Sequence, residues 1–181
     1  MPQWLIVSAN TITKLNRWIF LATVWLMAIV VPVMLYEVVA RYVFNAPTEW
    51  GMELAVLLFG PYFLLGGPYL LHLKGHVTLD LARQRMSAAW QRRLDLLNYP
   101  VIVMFCAILL YFSVPSALSA FSYRETSFSS WNPPIWPFKA TVPLALVLML
   151  LQAVVEFFVT LFTPAALIYP DPDGLAVGEH P

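Results

Sequence analysis

Four long stretches of this chain, 18–36, 54–73, 96–123 and 140–155, contain no Asp, Glu, Lys or Arg. A helix that crosses a bilayer needs about 20 mostly apolar residues, within a range of roughly 17 to 25. The first two runs fit directly. The third is long enough to tilt or to project from the bilayer, and the fourth reaches span length only by passing Glu156 toward Phe162. The pattern predicts one all-α integral membrane domain over 1–163, with transmembrane helices at about 18–40, 52–73, 94–123 and 140–162.

A second periodicity lies between the second and third runs. Leu79, Ala82, Met86, Trp90, Leu94 and Leu97 recur at steps of three or four, opposite Gln84, Arg85, Gln91, Arg92 and Asp95. The spacing predicts an amphipathic interfacial helix at about 77–92, with Trp90 at headgroup depth and Arg83, Arg85, Arg92 and Arg93 beside anionic lipid. The tail 164–181 is rich in proline and acid without period, which predicts a disordered segment.

Charge fixes an expected orientation. Seven of the ten lysines and arginines lie in the N-terminal segment (Lys14, Arg17) or the second connector (Lys74, Arg83, Arg85, Arg92, Arg93). Positively charged loops resist translocation, so both termini and the middle connector are expected in the cytoplasm, and connectors one and three outside. The first apolar run is longer than the roughly 7 to 15 residues of a signal-peptide core, so it reads as a retained span.

Composition agrees with a membrane class. The chain of 181 residues is 60% hydrophobic and 11% charged, with mean hydropathy +0.73, whereas soluble domains carry about a quarter charged residues. Net charge is zero, so nothing suggests nucleic-acid binding. The lone Cys106, inside an apolar run, excludes an intrachain disulfide and a cysteine metal cluster.

Several polar residues are candidates for chemistry. Glu37 and Arg41, four apart at the outer end of the first span, are oriented as a helical ion pair that fixes the helix end. Glu49 and Glu53 open the second helix and suit its N-terminal dipole. Glu156 lies in the fourth span with no neutralising neighbour in sequence, and either snorkels inward or meets a partner subunit. His72, His76 and Asp80 are spaced four and four, as on a metal-binding helix face, but Gly75 and the expected membrane boundary fall among them. They read as a turn, with His76 and Asp80 satisfying backbone or each other. No histidine lies at the middle of a span, so haem is not expected and no cofactor is assigned. No phosphate loop, zinc-protease helix or nucleophile with its base occurs, so an enzyme is not expected. GPYFLLGGPY, including Gly66 and Gly67, reads as a helix-packing surface for this chain or a partner. No internal repeat is evident, although many self-sufficient secondary transporters are built from repeats.

The chain resembles the small membrane subunit, the DctQ-like or Q component, of tripartite ATP-independent periplasmic (TRAP) transporters over about 16–162. The resemblance rests on EVVARYVFNAPTEWGMELA, FLLGGPYLLHLKGHVTLDL and ETSFSSWNPPIWPFKATVPLALVLMLLQ, in that order in a four-span chain. Matching positions are Glu37, Arg41, Tyr42, Trp50 and Glu53 in the first block, and Gly66, Gly67, His76 and Asp80 in the second. In the third they are Glu125, Ser127, Trp131, Pro133, Pro134, Trp136, Pro137 and Lys139. Pro68 departs from the pattern, which has a small residue there.

The resemblance implies a multi-pass scaffold in the bacterial inner membrane. Its implied partners are a large multi-span subunit that holds the substrate and sodium sites, and a periplasmic binding protein that delivers an organic acid. Lipid is the remaining partner. On this reading Trp50, Trp131, Pro133, Pro134, Trp136, Pro137 and Lys139 form a stiff outer surface on which the binding protein docks. The tryptophans equally suit a membrane belt, with the prolines shaping the start of span four. A stand-alone small carrier or channel, and a membrane anchor for a redox complex, are the competing functions.

Overall fold

The computed structural model describes residues 3–73 and 86–164. Four helices account for most of them: α1 Gln3–Tyr42, α2 Gly51–His72, α3 Ala88–Ser122 and α4 Trp136–Phe162. All four are long and apolar enough to cross a membrane. The expected interfacial helix falls largely in 74–85, outside the described residues.

Two helices start well ahead of their uncharged runs. α1 begins at Gln3 and α3 at Ala88, so Trp90, Arg92 and Arg93 stand in the opening turns of a helix continuous with the third span. Lys14, Arg17, Arg92 and Arg93 interrupt hydropathy but not helix, because straight-chain charged residues are good helix formers. At about 1.5 Å per residue, the 40 residues of α1 extend roughly 60 Å, twice the hydrocarbon core of about 30 Å. The helices run through Pro32, Pro61, Pro68, Pro100, Pro115 and Pro143 without a break.

The helices alternate in direction. His72 bonds to Glu156 and Arg92 to the end of α4 at the end that also holds α1's N-terminal part. The connectors 43–50 and 123–135 meet at the other end, where Ser129 reaches Glu53. α4 is central and packs against α1, α2 and α3, while α1 also pairs with α2. An apolar cluster of Leu71, Tyr99 and Ala153, flanked by Ile102, Val103, Met149 and Phe157, joins α2, α3 and α4.

What lies inside is unlike a water-soluble core. The buried residues of α1 include Asn16, Thr23, Val30 and Glu37, spaced seven apart. That is the period of a helix wound against a neighbour at a small crossing angle. On α4 the buried stripe is Ala145, Leu148, Gln152, Glu156 and Thr160. The large apolar side chains point outward instead, including Trp18, Trp25, Val56, Tyr111 and Phe112. Lipid tails are as apolar as leucine, so large apolar side chains lose little by facing outward, while small and polar groups gain by turning inward.

Candidate functional site

At the connector end a single carboxylate organises the first turn. Glu37 is 2% exposed. It accepts from Arg41 Nε at 3.0 Å and Nη2 at 2.5 Å, from the Thr48 N–H at 3.0 Å and from the Thr48 hydroxyl. Thr48 Oγ1 in turn accepts from the Gly51 N–H at 3.2 Å. Glu37 thus ties α1 to the connector and to the first turn of α2. The sequence pair is present, yet its carboxylate faces the protein while Arg41 reaches outward. Gly51 is required by this approach, since a Cβ there would sit 2.7 Å from Thr48 Oγ1 and 3.1 Å from Glu37 Oε2.

The third connector is braced from several sides. Its start is a helix stop in which Arg124 takes φ 46°, with Glu125 N–H donating to Ala120 O and Arg124 N–H to Phe121 O. Glycine is the usual residue at such a position. Ser127 N–H bonds to Pro133 O and Ile135 N–H to Glu125 O, pairing the loop's two arms. Lys139 Nζ reaches both carboxylate oxygens of Glu125 at 2.7 Å. Ser129 Oγ donates to Glu53 Oε2 at 2.6 Å, fastening the loop to α2.

Phe128 projects from this frame. It is 87% exposed and holds φ 56°, a conformation disfavoured for a bulky residue, with its N–H on Asn132 Oδ1 at 3.0 Å. Trp131 and Pro134 are exposed, Pro133 is buried, and Pro137 lies in the first turn of α4. Trp136 is half-buried and packs edge-on against Phe121 at 5.2 Å. Trp50 stacks on Tyr36 at 6.1 Å. Sequence reasoning named the tryptophans but missed Phe128, Ser129 and Thr48, whose roles depend on loop conformation.

The opposite end holds a polar chain through three helices. Glu156, 8% exposed, accepts from Gln152 Nε2 at 2.9 Å and lies 2.6 Å from His72 Nδ1. Gln152 Oε1 accepts from Asn16 Nδ2 at 2.8 Å, and Gln152 Nε2 also reaches Thr13 Oγ1 at 3.3 Å. The hydrogen-bonding neighbour of Glu156 on another helix is therefore on α2, 84 positions away in sequence. Both Gln152 and Asn16 were missed, and their heptad and four-residue spacings were the available signal.

Among the lipid-interface candidates, Arg92 turns inward. Its Nε donates to Thr160 O at 3.2 Å and its Nη2 to Leu161 O at 2.9 Å, covering carbonyls that the end of α4 leaves open. The Arg93 guanidinium lies 5.6 Å from the Trp90 ring centre. Gly66 packs on Phe20 of α1, while Gly60 and Gly67 face open space. His76, Asp80, Arg83 and Arg85 lie outside the described residues. Among the described residues, no group of three His, Cys, Asp or Glu side chains could hold a metal ion.

No curated protein matches the chain at a significant level. A family model does, described as the DctQ component of tripartite ATP-independent periplasmic transporters, and it covers residues 30–163. That range takes in the buried carboxylates Glu37, Asp95 and Glu156, the braced connector and most of the four-helix bundle. The chain belongs to the family of DctQ components of tripartite ATP-independent periplasmic transporters.

Proposed function

We propose that this chain is the static scaffold subunit of a sodium-coupled importer of an organic carboxylate. The importer depends on a periplasmic binding protein and lies in a bacterial inner membrane, with both termini of this chain in the cytoplasm. The observation that carries the scaffold reading is how little of α1 and α3 the chain itself covers. Only 11% of the most apolar window of α1 and 6% of that of α3 is buried. Such bare helices offer a broad lateral face to a larger membrane subunit, with Gly60 and Gly67 allowing close approach on α2. The carboxylates inside the helices support the same reading. Glu37, Glu53 and Glu156 are each bonded within the chain, which leaves ion coupling to the partner. The orientation is supported by the excess of lysine and arginine in the terminal segment and middle connector.

The outer connectors are the proposed landing surface for the binding protein. A loop held by Pro133, Pro134, the Glu125–Lys139 pair and the Ser129–Glu53 bond loses little entropy on docking. Across the two connectors Trp131, Phe128 and Trp50 provide contact surface, whereas Trp136, Pro133, Pro137 and Lys139 act as struts. Three measurements test the assignment. Purification from native membranes should recover a stoichiometric, larger multi-span subunit; recovery of this chain alone, stable and folded, would sink the scaffold reading. Proteoliposomes containing both membrane subunits should take up a carboxylate only with an inward sodium gradient and the binding protein. Trp131→Ala with Phe128→Ala should cut that uptake at unchanged complex yield, while loss of yield alone would assign the aromatics to the membrane belt.

A further inference from the structure

Where α3 stops and α4 starts, the two helix ends border a cavity of about 380 Å³ lined by Phe121, Ser122, Arg124 and Trp136. α3 ends at Ser122 and α4 begins at Trp136, so the cavity lies at the edge of two apolar spans, where hydrocarbon gives way to headgroups. Aromatic residues mark that level. Phe121 and Tyr123 are 61% and 85% exposed, and Trp136 stands edge-on to Phe121 across the helix ends.

The cavity holds donors that lack acceptors. The Arg124 guanidinium makes no hydrogen bond or ion pair among the described residues, and the Trp136 indole N–H has no acceptor among them either. The adjacent carboxylate is already taken, since Glu125 gives both oxygens to Lys139. Glu53, which meets the connector from α2, accepts from Ser129. Ser122 donates its hydroxyl to the Ser119 carbonyl at 2.9 Å. The backbone singles out the same residue. Arg124 holds φ 46° at the stop of α3, where glycine fits without strain. No bond of its side chain offsets that strain within the chain, a pattern found where a residue serves a ligand.

We infer that this cavity holds the phosphodiester headgroup of a phospholipid in the leaflet on the connector side, the outer leaflet in the orientation proposed above. The planar guanidinium of Arg124 matches two phosphate oxygens at once. The Trp136 indole N–H is a further donor, and the exposed ring of Phe121 suits the glycerol and the upper acyl chain. Beyond the headgroup the acyl chains follow α3, of whose most apolar window only 6% is buried. Lipid is favoured over an acidic segment of a soluble partner by the position of the cavity. Phe121, Ser122 and Trp136 belong to spanning helices, and none of the lining comes from the connector tip where Phe128 and Trp131 stand. The site lies at the opposite end of α3 from Arg92 and Arg93. It requires only that the four helices span a bilayer, and it stands whether or not the scaffold reading holds.

Photolabelling of the full chain, in whatever assembly native membranes yield, tests the site after reconstitution into nanodiscs. The probe is a phosphatidylglycerol that carries a diazirine in its headgroup. Mass spectrometry should place adducts within 121–136, and excess unlabelled phosphatidylglycerol should remove them. Arg124→Gly should cut these adducts about tenfold, the effect of losing a charge-assisted bond, while adducts elsewhere on the chain persist. The variant should melt no lower than the wild type, because glycine accepts the positive φ. Arg93→Gln should leave the adducts unchanged. Equal labelling by a diazirine-bearing diacylglycerol, which lacks the phosphate, would overturn the headgroup assignment. Loss of the adducts to millimolar inorganic phosphate would overturn the lipid and assign the site to a free anion. Adducts that survive Arg124→Gly would overturn the role of the arginine, and loss of a soluble partner in the same variant would assign the guanidinium to that partner.

Discussion

Replacing Gln152 with leucine tests how this bundle is held together. Gln152 is fully buried and ties α4 to α1 through bonds to Asn16 and Thr13, with a third bond to Glu156 on its own helix. In a water-soluble core, leucine would recover part of the loss by hydrophobic burial, at roughly 25 cal/mol per Å². Between helices in lipid that recovery is absent, since the unfolded helices are already in an apolar solvent. Side-chain hydrogen bonds inside membrane bundles average about 0.6 kcal/mol each. The three bonds together then contribute roughly 2 kcal/mol. For a chain of this size, each kcal/mol shifts Tm by about 2–4 °C, so Gln152→Leu should melt roughly 4–8 °C lower.

Thermal unfolding of the chain in lipid nanodiscs, followed by tryptophan fluorescence, measures the shift. Leu144→Ala is the control, because Leu144 is 52% exposed toward the lipid and should move Tm by no more than about 1 °C. A Gln152→Leu variant that melts with the wild type, or above it, would refute the reasoning. It would mean that packing of Ala145, Leu148 and Ala153 holds α4 without help from the polar stripe.

Other perturbations separate contacts that look alike in sequence. Gly51→Ala should destabilise by about 1–3 kcal/mol through overpacking against Thr48 and Glu37, while Gly60→Ala, with nothing within 4 Å of its new Cβ, should melt as wild type; equal effects would discredit the Glu37 cradle. Arg92→Met should speed amide hydrogen exchange in the last turn of α4 and leave the middle of the helix unchanged, and unchanged exchange at the end would show that Arg92 serves lipid instead. Lys139→Met should cost only about 0.2–1 kcal/mol, as expected for a partly exposed pair, with Glu125→Gln adding little in the double variant; strictly additive losses would show that the two side chains do not act together.

Much of the architecture was legible because hydropathy and charge are properties of single positions. Four apolar runs sufficed to predict four helices. The runs did not reveal how far α1 and α3 extend, because a lysine or arginine ends an uncharged run without ending a helix. Tertiary partners were harder to see. Glu156 had no partner in the sequence nearby because the side chain it meets, His72, closes α2, and nothing local encodes that meeting. The braced loop was readable as stiff from Pro133, Pro134 and Pro137, but not its left-handed turns at Arg124 and Phe128, which occupy positions where glycine would be the usual signal. His76 and Asp80, marked by the family pattern, lie outside the described residues and have no assigned partner.

The inward face of α1 carries a further consequence. Asn16 and Glu37 lie on one heptad stripe, and each pins α1 to a different part of the chain, Asn16 to α4 and Glu37 to the first connector. They are 21 residues apart in sequence, or about 31 Å along a helix, nearly the roughly 30 Å depth of the hydrocarbon layer. Thr23 and Val30 fill the interval, and Thr23 turns its hydroxyl to the Phe20 carbonyl of its own helix. The two polar pins are therefore separated by about one hydrocarbon thickness, with Thr23 and Val30 buried in the stretch between them. A helix fixed at both boundaries cannot slide along the membrane normal without breaking a buried bond at one end. On the proposed scaffold reading that restraint suits a subunit that stays fixed beside its partner, and it follows from two polar residues that hydropathy alone would count as interruptions.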